Sequence, residues 1–316
     1  MGTTHLSGLQ VAGVPTFGVG GGLPLAPRYF FVSSTAANTS NGNDGSFDAP
    51  FATLDYAIGQ CTANKGDTIV VLPNHAETIT GVGGITADIA GINIIGQGVG
   101  AARPTFLMDG ATDVTFVVSA ANVTVQNMFF KAGHSGVVTC FNITAGSCNL
   151  INLEFGNNTT NENFVTPIKA TSTADNNADG LTVIGCKWFT IDTDDREMIE
   201  INANLDKLTV LNNTMVTMSA TTCPLILSAG TKVLSNVDIG WNRAKNAMTS
   251  GALFISNGAS TNSGFVYNNY VGNLDTTGPQ DLGASAFANA YWFNNQSSSV
   301  VTLSGAVNPA PDSPTT

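Results

Sequence analysis

The chain has 316 residues, enough to bury a sizeable core in one elongated domain or in two globular ones. Only 10% of the residues are charged. The formal net charge of −11 argues against nucleic acid and membrane surfaces as partners, because 11 basic residues cannot offset 22 carboxylates. An odd number of cysteines without a CxxC pair argues against a disulfide framework or zinc site. It predicts buried thiols, made in a reducing compartment, at Cys61, Cys140, Cys148, Cys186 and Cys223.

Residues 1–28 are predicted to form an extended, Gly/Pro-rich arm outside the folded domain. The segment LSGLQVAGVPTFGVGGGLPLAP is apolar but interrupted, and no basic residue precedes an apolar run, so it does not resemble a secretory signal. Two interpretations stay open: a flexible leader, and a peptide that becomes ordered against a partner. No stretch of about 20 apolar residues occurs, which predicts no membrane span. Residues 306–316 are predicted to be a flexible polar tail.

The segment from residue 43 to residue 79 predicts a turn, a helix at about 50–61 and a strand over Thr68–Leu72. Asp48 is the candidate helix cap and Pro50 a first-turn proline. The strand is a β-branched apolar run, typical of a strand that is buried on both faces. A helix followed at once by such a strand predicts a cap over one open end of a sheet structure. The apolar face of the helix is formed by Phe51, Leu54, Ile58 and Cys61.

An internal repeat follows this segment. Apolar anchor residues recur at a mean step of about 28 residues, which is the period of stacked coils. Two residues after each anchor stands a turn residue, and five of these eight are Asn and two are Gly, with Trp241 as the exception. The anchors are Ile94, Val125, Leu150, Val183, Val210, Ile239, Val266 and Trp292. The turn residues are Gly96, Asn127, Asn152, Gly185, Asn212, Trp241, Asn268 and Asn294.

Asn and Gly share tolerance of the left-handed backbone conformation, so the repeat predicts a strand, a tight turn and a second strand in every coil. Stacked turns of this kind would form an asparagine ladder. The sequence therefore predicts an all-β protein, a single-stranded parallel β-helix of about nine coils over residues 29–305. Insertions are expected to leave from other corners at Ala132–Gly136, Gly156–Phe164 and Asn273–Gly283.

The segments DGSFDAPFATLDYAI and GDTIVVLPNHAETI resemble the first coil of right-handed parallel β-helix (pectate-lyase-like) proteins. Asn74-His75 departs from the Gly and aromatic residue of that pattern. The resemblance implies a right-handed helix capped at its N-terminal end by a short α-helix. The family includes polysaccharide lyases and hydrolases, epimerases, phage tailspikes and head-decoration proteins, so the fold alone does not select a function. The leader before the first coil is similar to the starts of phage virion proteins.

The densest acidic cluster surrounds Arg196. The family's hydrolase signatures are not present as a set, and a solvated loop is favoured over a catalytic or metal role for Asp192, Asp194, Asp195, Glu197 and Glu200. The histidines His5, His75 and His134 lack metal-binding spacing. Asp109 and Asp113 favour a turn over a calcium loop. The sequence thus nominates no catalytic, cofactor-binding or metal-binding residue and no cofactor.

Late aromatic residues leave two interpretations open: a sugar groove, and stacking in the coils or at a subunit contact. They are Tyr267, Tyr270, Tyr291, Trp292 and Phe293.

The resemblance implies a non-enzymatic structural protein of the phage virion, a capsid decoration or cement protein. It would be synthesised in the host cytoplasm and lie on the outer surface of the capsid, held on the major capsid protein by residues 1–28. A homotrimer is expected to bury the apolar outer faces of the coils. The alternatives are a tailspike or receptor-binding β-helix that binds host polysaccharide and, less favoured, a polysaccharide lyase or hydrolase.

Overall fold

A computed structural model describes residues 10–11, 14–15, 27–171, 177–191, 195–219, 224–228, 232–247, 255–257, 262–273 and 290–299. The predicted polar tail, Cys223, the insertion beyond Asn273 and most of the predicted arm lie outside these residues. In the arm, β1 (Gln10–Val11) and β2 (Val14–Pro15) pair antiparallel. In the described part of the chain, no helix combines the length and the apolar character needed to cross a membrane.

Short strands make up almost all of the described fold, with one α-helix, α1 (Leu54–Gly59), and a 3-10 turn at Gly100–Ala102. The strands of the first half are β3 Tyr29–Val32, β4 Thr68–Val71, β5 Ala76–Thr80, β6 Ile85–Ala87, β7 Asn93–Gly96, β8 Thr105–Asp109, β9 Phe116–Val118, β10 Thr124–Gln126, β11 Phe129–Ala132, β12 Val137–Ile143, β13 Asn149–Ile151, β14 Glu154–Asn157, β15 Phe164–Ala170, β16 Thr182–Ile184, β17 Lys187–Phe189 and β18 Ile199–Ile201. Those of the second half are β19 Leu205–Asp206, β20 Thr209–Leu211, β21 Thr214–Val216, β22 Ile226–Ser228, β23 Leu234–Ser235, β24 Val237–Gly240, β25 Arg243–Asn246, β26 Ile255–Asn257, β27 Gly264–Tyr267, β28 Tyr270–Asn273, β29 Ala290–Phe293 and β30 Gln296–Ser299.

The strands form three long parallel sheets that the chain visits in turn, which defines a parallel β-solenoid. Sheet 1 has ten strands (β3, β4, β7, β10, β13, β16, β20, β24, β27, β29), sheet 2 has nine (β5, β8, β11, β14, β17, β21, β25, β28, β30) and sheet 3 has seven (β6, β9, β12, β15, β18, β22, β26). The predicted fold class is confirmed. The predicted count of about nine coils is too high for complete coils, because only seven have described strands in all three sheets.

The predicted anchor column is confirmed by the register of sheet 1. Ile94 pairs with Val125, and the pairing continues without a slip through every anchor to Val266 and Trp292. Ile69 of β4 precedes them in the same column. All four residues of β4 are buried, as the continuous apolar run predicts.

The left-handed turn is confirmed at seven of the eight predicted positions. Their φ angles lie between 51° and 67°. Gly96 is the exception in this column: it ends β7, and a Cβ there would lie 2.2 Å from the backbone oxygen of Asn127. Glycine is therefore required at this position by a close backbone approach rather than by a positive φ.

The predicted helix at 50–61 is wrong at both ends, because α1 is only six residues long. Phe51 forms an isolated parallel bridge with Val32 of β3, so no helix begins at Pro50. Leu54 and Ile58 are buried, and the helix contacts β3, β4 and β6 at the end of the solenoid. The predicted capping position of the helix therefore agrees with the structure.

Asp48 does not cap the helix. Thr53 is the N-cap residue and makes no side-chain capping bond. The carboxylate of Glu77 on β5 instead accepts the Leu54 N–H at 3.0 Å, so a side chain from the first coil satisfies the first helical donor.

The inside of the first coils is packed with aromatic rings. On sheet 2, Phe106 stacks on Phe130 with 5.3 Å between ring centroids, and Phe130 stacks on Phe155 at 6.1 Å. On sheet 3, Phe116 stacks on Phe141 at 4.7 Å. All five rings are fully buried and are among the largest buried side chains of the described chain. The four described cysteines are also buried free thiols, as predicted.

The later coils replace part of this apolar packing by a ladder of buried amides, formed by Asn213, Asn242, Asn269 and Asn295. Each side-chain NH₂ of the first three donates to the amide oxygen of the next, at 2.9 to 3.0 Å. Each also donates to a backbone oxygen of a preceding strand, for example Asn242 to Val210 at 2.8 Å. Every buried polar group of the ladder side chains is thereby paired within the described coils.

Candidate functional site

A cleft lies on the outer corner where sheet 1 turns into sheet 2 in the later coils. Its volume is about 440 Å³, and we refer to it as the corner cleft. It adjoins a second depression of about 560 Å³ on the outer face of sheet 2, which extends to Val216 and Lys245. The corner cleft is lined by Asn212, Thr214, Trp241, Asn242, Arg243, Asn268, Asn269, Tyr270, Asn294 and Gln296.

Two columns of side chains form its walls. One is the turn column, in which the backbone N–H of Asn212, Trp241 and Asn268 donates across to the next coil. The other is the row of outward residues that begin the strands of sheet 2, in which Arg243 pairs in register with Tyr270. Because neighbouring strands lie about 4.8 Å apart, both columns present one side chain per coil at a regular spacing.

Trp241 is the conformational outlier of the cleft. Its φ is 60°, a left-handed conformation that bulky L-residues rarely adopt, and its side chain is 58% exposed. The neighbouring members of the column, Asn212, Asn268 and Asn294, have φ values of 57°, 52° and 53° and are the residue type that tolerates this conformation. A strained backbone that displays an exposed indole ring points to a function for the ring.

The floor of the cleft is rigid, because Asn242 and Asn269 belong to the buried amide ladder. The Asn242 oxygen accepts both the backbone and side-chain N–H of Asn213, at 2.9 and 3.0 Å.

The sequence pattern predicted an asparagine ladder at the turn residues themselves, and there Asn152 donates to Asn127 at 3.0 Å and Asn294 donates to Asn268. The buried ladder lies one residue later and was not predicted. The signal that could have located it is an Asn directly after the turn residue in each of the last four coils.

More aromatic rings continue around the corner onto the outer face of sheet 1. Tyr267 stacks on Phe293 with 5.2 Å between centroids and 8° between planes, and Phe265 stacks on Tyr291 at 5.6 Å. Tyr291 is 70% exposed. The Tyr267 ring covers Gly240, where a Cβ would lie 2.6 Å from it.

The rings stack in register from coil to coil, as one of the two sequence interpretations expected, but they do so on the outside of the coils, where they are accessible. The sugar groove stays a prediction. Trp292 is different, because it packs partly buried against the core. Burial and then the neighbouring carboxylate of Asp238 raise the pKa of Tyr267, so its hydroxyl keeps its proton well above neutral pH.

Two exposed cations lie beside the rings. Arg243 and Lys245 both point outward from β25, and the Lys245 ammonium lies 5.9 Å from the centre of the Tyr270 ring. In the described part of the chain, neither cation forms an ion pair. No carboxylate is among the residues that line the corner cleft or the adjoining depression.

The predicted acidic cluster lies elsewhere, and its described members do not form a solvated loop. Asp195 and Glu197 are buried, and Glu200 pairs with Lys169 at 2.9 Å. Glu197 accepts a hydrogen bond from Thr166 Oγ1 at 2.6 Å, and burial raises its pKa to about 7. Asp192 and Asp194 lie outside the described residues.

The other sequence candidates are separate from the cleft. His75 is buried, with its Nε2 3.1 Å from Glu77, while His134 is half-buried in the loop after β11. His5 lies outside the described residues. Asp109 ends β8 and its carboxylate accepts the N–H of Gly110, consistent with the predicted turn. Within the described ranges, no three metal-binding side chains of the His, Cys, Asp or Glu type come together.

The fold and this surface define a class: a parallel β-solenoid with an outward cleft of aromatic, amide and cationic side chains. No known protein family matches the sequence, and no curated protein matches it. Among solved structures, the chain is similar to a rhamnogalacturonan lyase, at 14% identity over 85% of this chain and 87% of that chain, with a TM-score of 0.42. It is also similar to a GH136 lacto-N-biosidase from Eubacterium ramulus, at 12% identity over 85% of this chain and 67% of that chain, with a TM-score of 0.39.

The expectation of a non-enzymatic protein is contradicted by this comparison and is withdrawn, because the similar structures are a lyase and a glycosidase by name. At 12% to 14% identity the likeness concerns the fold and assigns no reaction to this chain. The virion location, the homotrimer and the attachment of residues 1–28 to a major capsid protein stay predictions of the sequence.

Proposed function

We propose that the chain binds a polysaccharide through the corner cleft. The observation that carries this proposal is Trp241, an exposed indole held in a conformation that costs free energy, beside a row of amide and hydroxyl groups. Sugars have apolar ring faces and hydroxyl edges, so they fit a surface that offers an aromatic plane and fixed hydrogen-bonding groups. The rigid floor supports binding, because less conformational entropy is lost when the site is already ordered.

The repeating geometry favours a polymer over a single small molecule. Each coil contributes one turn side chain and one outward strand side chain, and the exposed rings extend from Trp241 to Tyr291 over neighbouring coils. A polysaccharide also repeats one unit along its length, so it can make the same kind of contact with successive coils. Summed weak contacts of this kind would give a useful affinity without a deep pocket.

The test is a glycan panel followed by titration of each glycan that binds. The diagnostic variant is Trp241→Asn, which places in the turn column the residue that three neighbouring coils already have, so the fold is expected to be retained. We expect this change to weaken binding by at least about tenfold, because an exposed tryptophan at the centre of a contact commonly dominates its energy.

The matched control is Phe47→Ala. Phe47 is an exposed aromatic residue, and it contacts Phe31 of β3 at the opposite end of sheet 1. It should leave glycan affinity unchanged. The proposal fails if no glycan of the panel binds, or if Trp241→Asn binds as tightly as the parent chain. Release of shorter sugars from a bound glycan would add an activity to the proposed binding.

A further inference from the structure

The corner cleft and the adjoining depression together contain a charge pattern that does not follow from sugar binding in general. The chain has only 11 basic residues against 22 carboxylates, yet the described residues that line these two depressions include two cations and no carboxylate. We propose that the bound polysaccharide is acidic, with a sugar carboxylate held between Arg243 and Lys245. This inference rests on the proposed function, because it concerns the same surface.

The geometry of β25 places these two cations on one face. Residues two apart on a strand point to the same side and lie about 6.6 Å apart, so Arg243 and Lys245 can contact one anionic group together. Both side chains are exposed, and no ion pair holds either of them within the described ranges. They are therefore available to an anionic ligand without first breaking an ion pair.

The neighbouring residues of the next coil hold this pair beside the two depressions. Lys245 passes over Gly272 of the next coil, where a Cβ would lie 3.2 Å from its Cγ, and its ammonium remains near the Tyr270 ring. Arg243 lies in register with Tyr270, which itself lines both depressions. The guanidinium group offers two parallel N–H donors that match a carboxylate, and the ammonium adds a second positive charge.

No other described strand of this sheet carries two cations on one face. Lys187 is the one cation of β17, and Lys131 is the one cation of β11, where it lies over the Phe129 ring four strands away from β25. Arg103, which precedes β8, is paired with Glu154 at 2.9 Å. Lys131 is thus a matched control: it occupies the same outer face, at about 19 Å along the solenoid if the strands are evenly spaced. The surplus of carboxylates on the whole chain does not prevent a local cationic site, because salt screens exposed charges beyond about 8 Å.

The experiment is a glycan panel in which each uronic-acid oligosaccharide stands beside its methyl ester. The ester keeps the sugar rings and hydroxyl groups but removes the charge. We expect the parent chain to bind the acids at least about tenfold more tightly than the esters at low salt, with the difference shrinking as salt is raised. Arg243→Gln and Lys245→Gln should each reduce this preference, whereas Lys131→Gln should leave it unchanged.

The outcomes separate the two proposals. Equal affinity for acids and esters, with both weakened by Trp241→Asn, would overturn the acidic-ligand inference and leave sugar binding in place. The acidic-ligand inference would also be overturned if Lys131→Gln reduced the preference as much as Arg243→Gln does. No binding of any member of the panel would overturn the proposed function and, with it, this inference.

Discussion

The early and late coils of the solenoid distribute their aromatic and amide side chains in opposite ways. Up to β18, phenylalanine rings fill the interior, and the residues after the turns at Asn127, Asn152 and Gly185 are the buried Met128, Leu153 and Cys186. From β20 onward that position holds a buried Asn, and the rings of Phe265 and Tyr291 lie outside. The backbone register of sheet 1 continues through both halves.

This difference shows that one backbone supports two kinds of stabilisation. The early coils depend on non-directional apolar burial, whereas the late coils depend more on directional hydrogen bonds. The buried amides hydrogen-bond the backbone at the corner from the inside. The late coils therefore stay aligned with one another while their aromatic rings lie on the surface. The exposed rings and the cleft therefore lie in the coils whose interior is stabilised by the amide ladder rather than by stacked rings.

The largest effect should come from deleting a ring inside the early coils. Phe130→Ala removes a fully buried ring and leaves a cavity, so we expect the free energy of unfolding to fall by about 4 kcal/mol. The measurement is the urea unfolding midpoint. The control is Phe265→Ala in the late coils, which removes a ring that is 51% exposed and should cost less than about 1 kcal/mol. Equal losses would contradict the comparison.

A second change tests the hydrogen bonds of the late coils. Asn242→Ala removes the amide that serves Val210, Asn213 and Asn269, and leaves buried polar groups without partners. We expect a loss of about 3 kcal/mol in the same urea experiment. A loss under about 1 kcal/mol would mean that the ladder contributes little to the stability of this half.

The free energy of unfolding is expected to depend on pH through Glu197, which lies just before β18, where the early coils end. The raised pKa of about 7 means that the folded state holds this proton more tightly than the unfolded state does, so the contribution is fully present below pH 4.5 and is lost as pH rises through 7. Glu197→Gln removes this titration. Relative to the variant, the parent chain should lose about 2 kcal/mol between pH 5 and pH 8.

Three charged side chains act on Glu197 electrostatically, namely Glu200, Arg196 and Lys169. The difference between parent and variant isolates Glu197 because these groups are common to both. Parallel pH profiles of unfolding would contradict the prediction.

The smallest effect on stability should come from Trp241→Asn. Asn tolerates the left-handed conformation at φ 60°, so thermal unfolding should show a gain of about 1 kcal/mol, while glycan affinity falls. A loss of stability would show that the indole ring packs usefully against its neighbours and is not held at a cost.

The sequence specified the fold through its repeat, because an apolar anchor two residues before an Asn or Gly turn fixes both the strand direction and the register. It could not show which of two adjacent asparagines faces inward, as in Asn212-Asn213, since both are the same residue type. It also could not show that Asp195 and Glu197 are buried, because the path of the connection between β17 and β18 depends on tertiary packing. The cleft was missed for a related reason: Trp241 looked like a defect in a turn column, and its exposure is visible only in three dimensions.

The amide ladder of the late coils has a direction. In each rung described, the NH₂ group of one Asn donates toward the C-terminal end and the oxygen receives from the N-terminal side. Reversing one amide would place its oxygen against the oxygen of the next Asn and its NH₂ group against the NH₂ group of the preceding Asn. A single amide therefore cannot reverse without its neighbours. The column therefore behaves as an aligned row of dipoles whose polarity is set collectively, and it gives the late coils a defined sense along the solenoid axis.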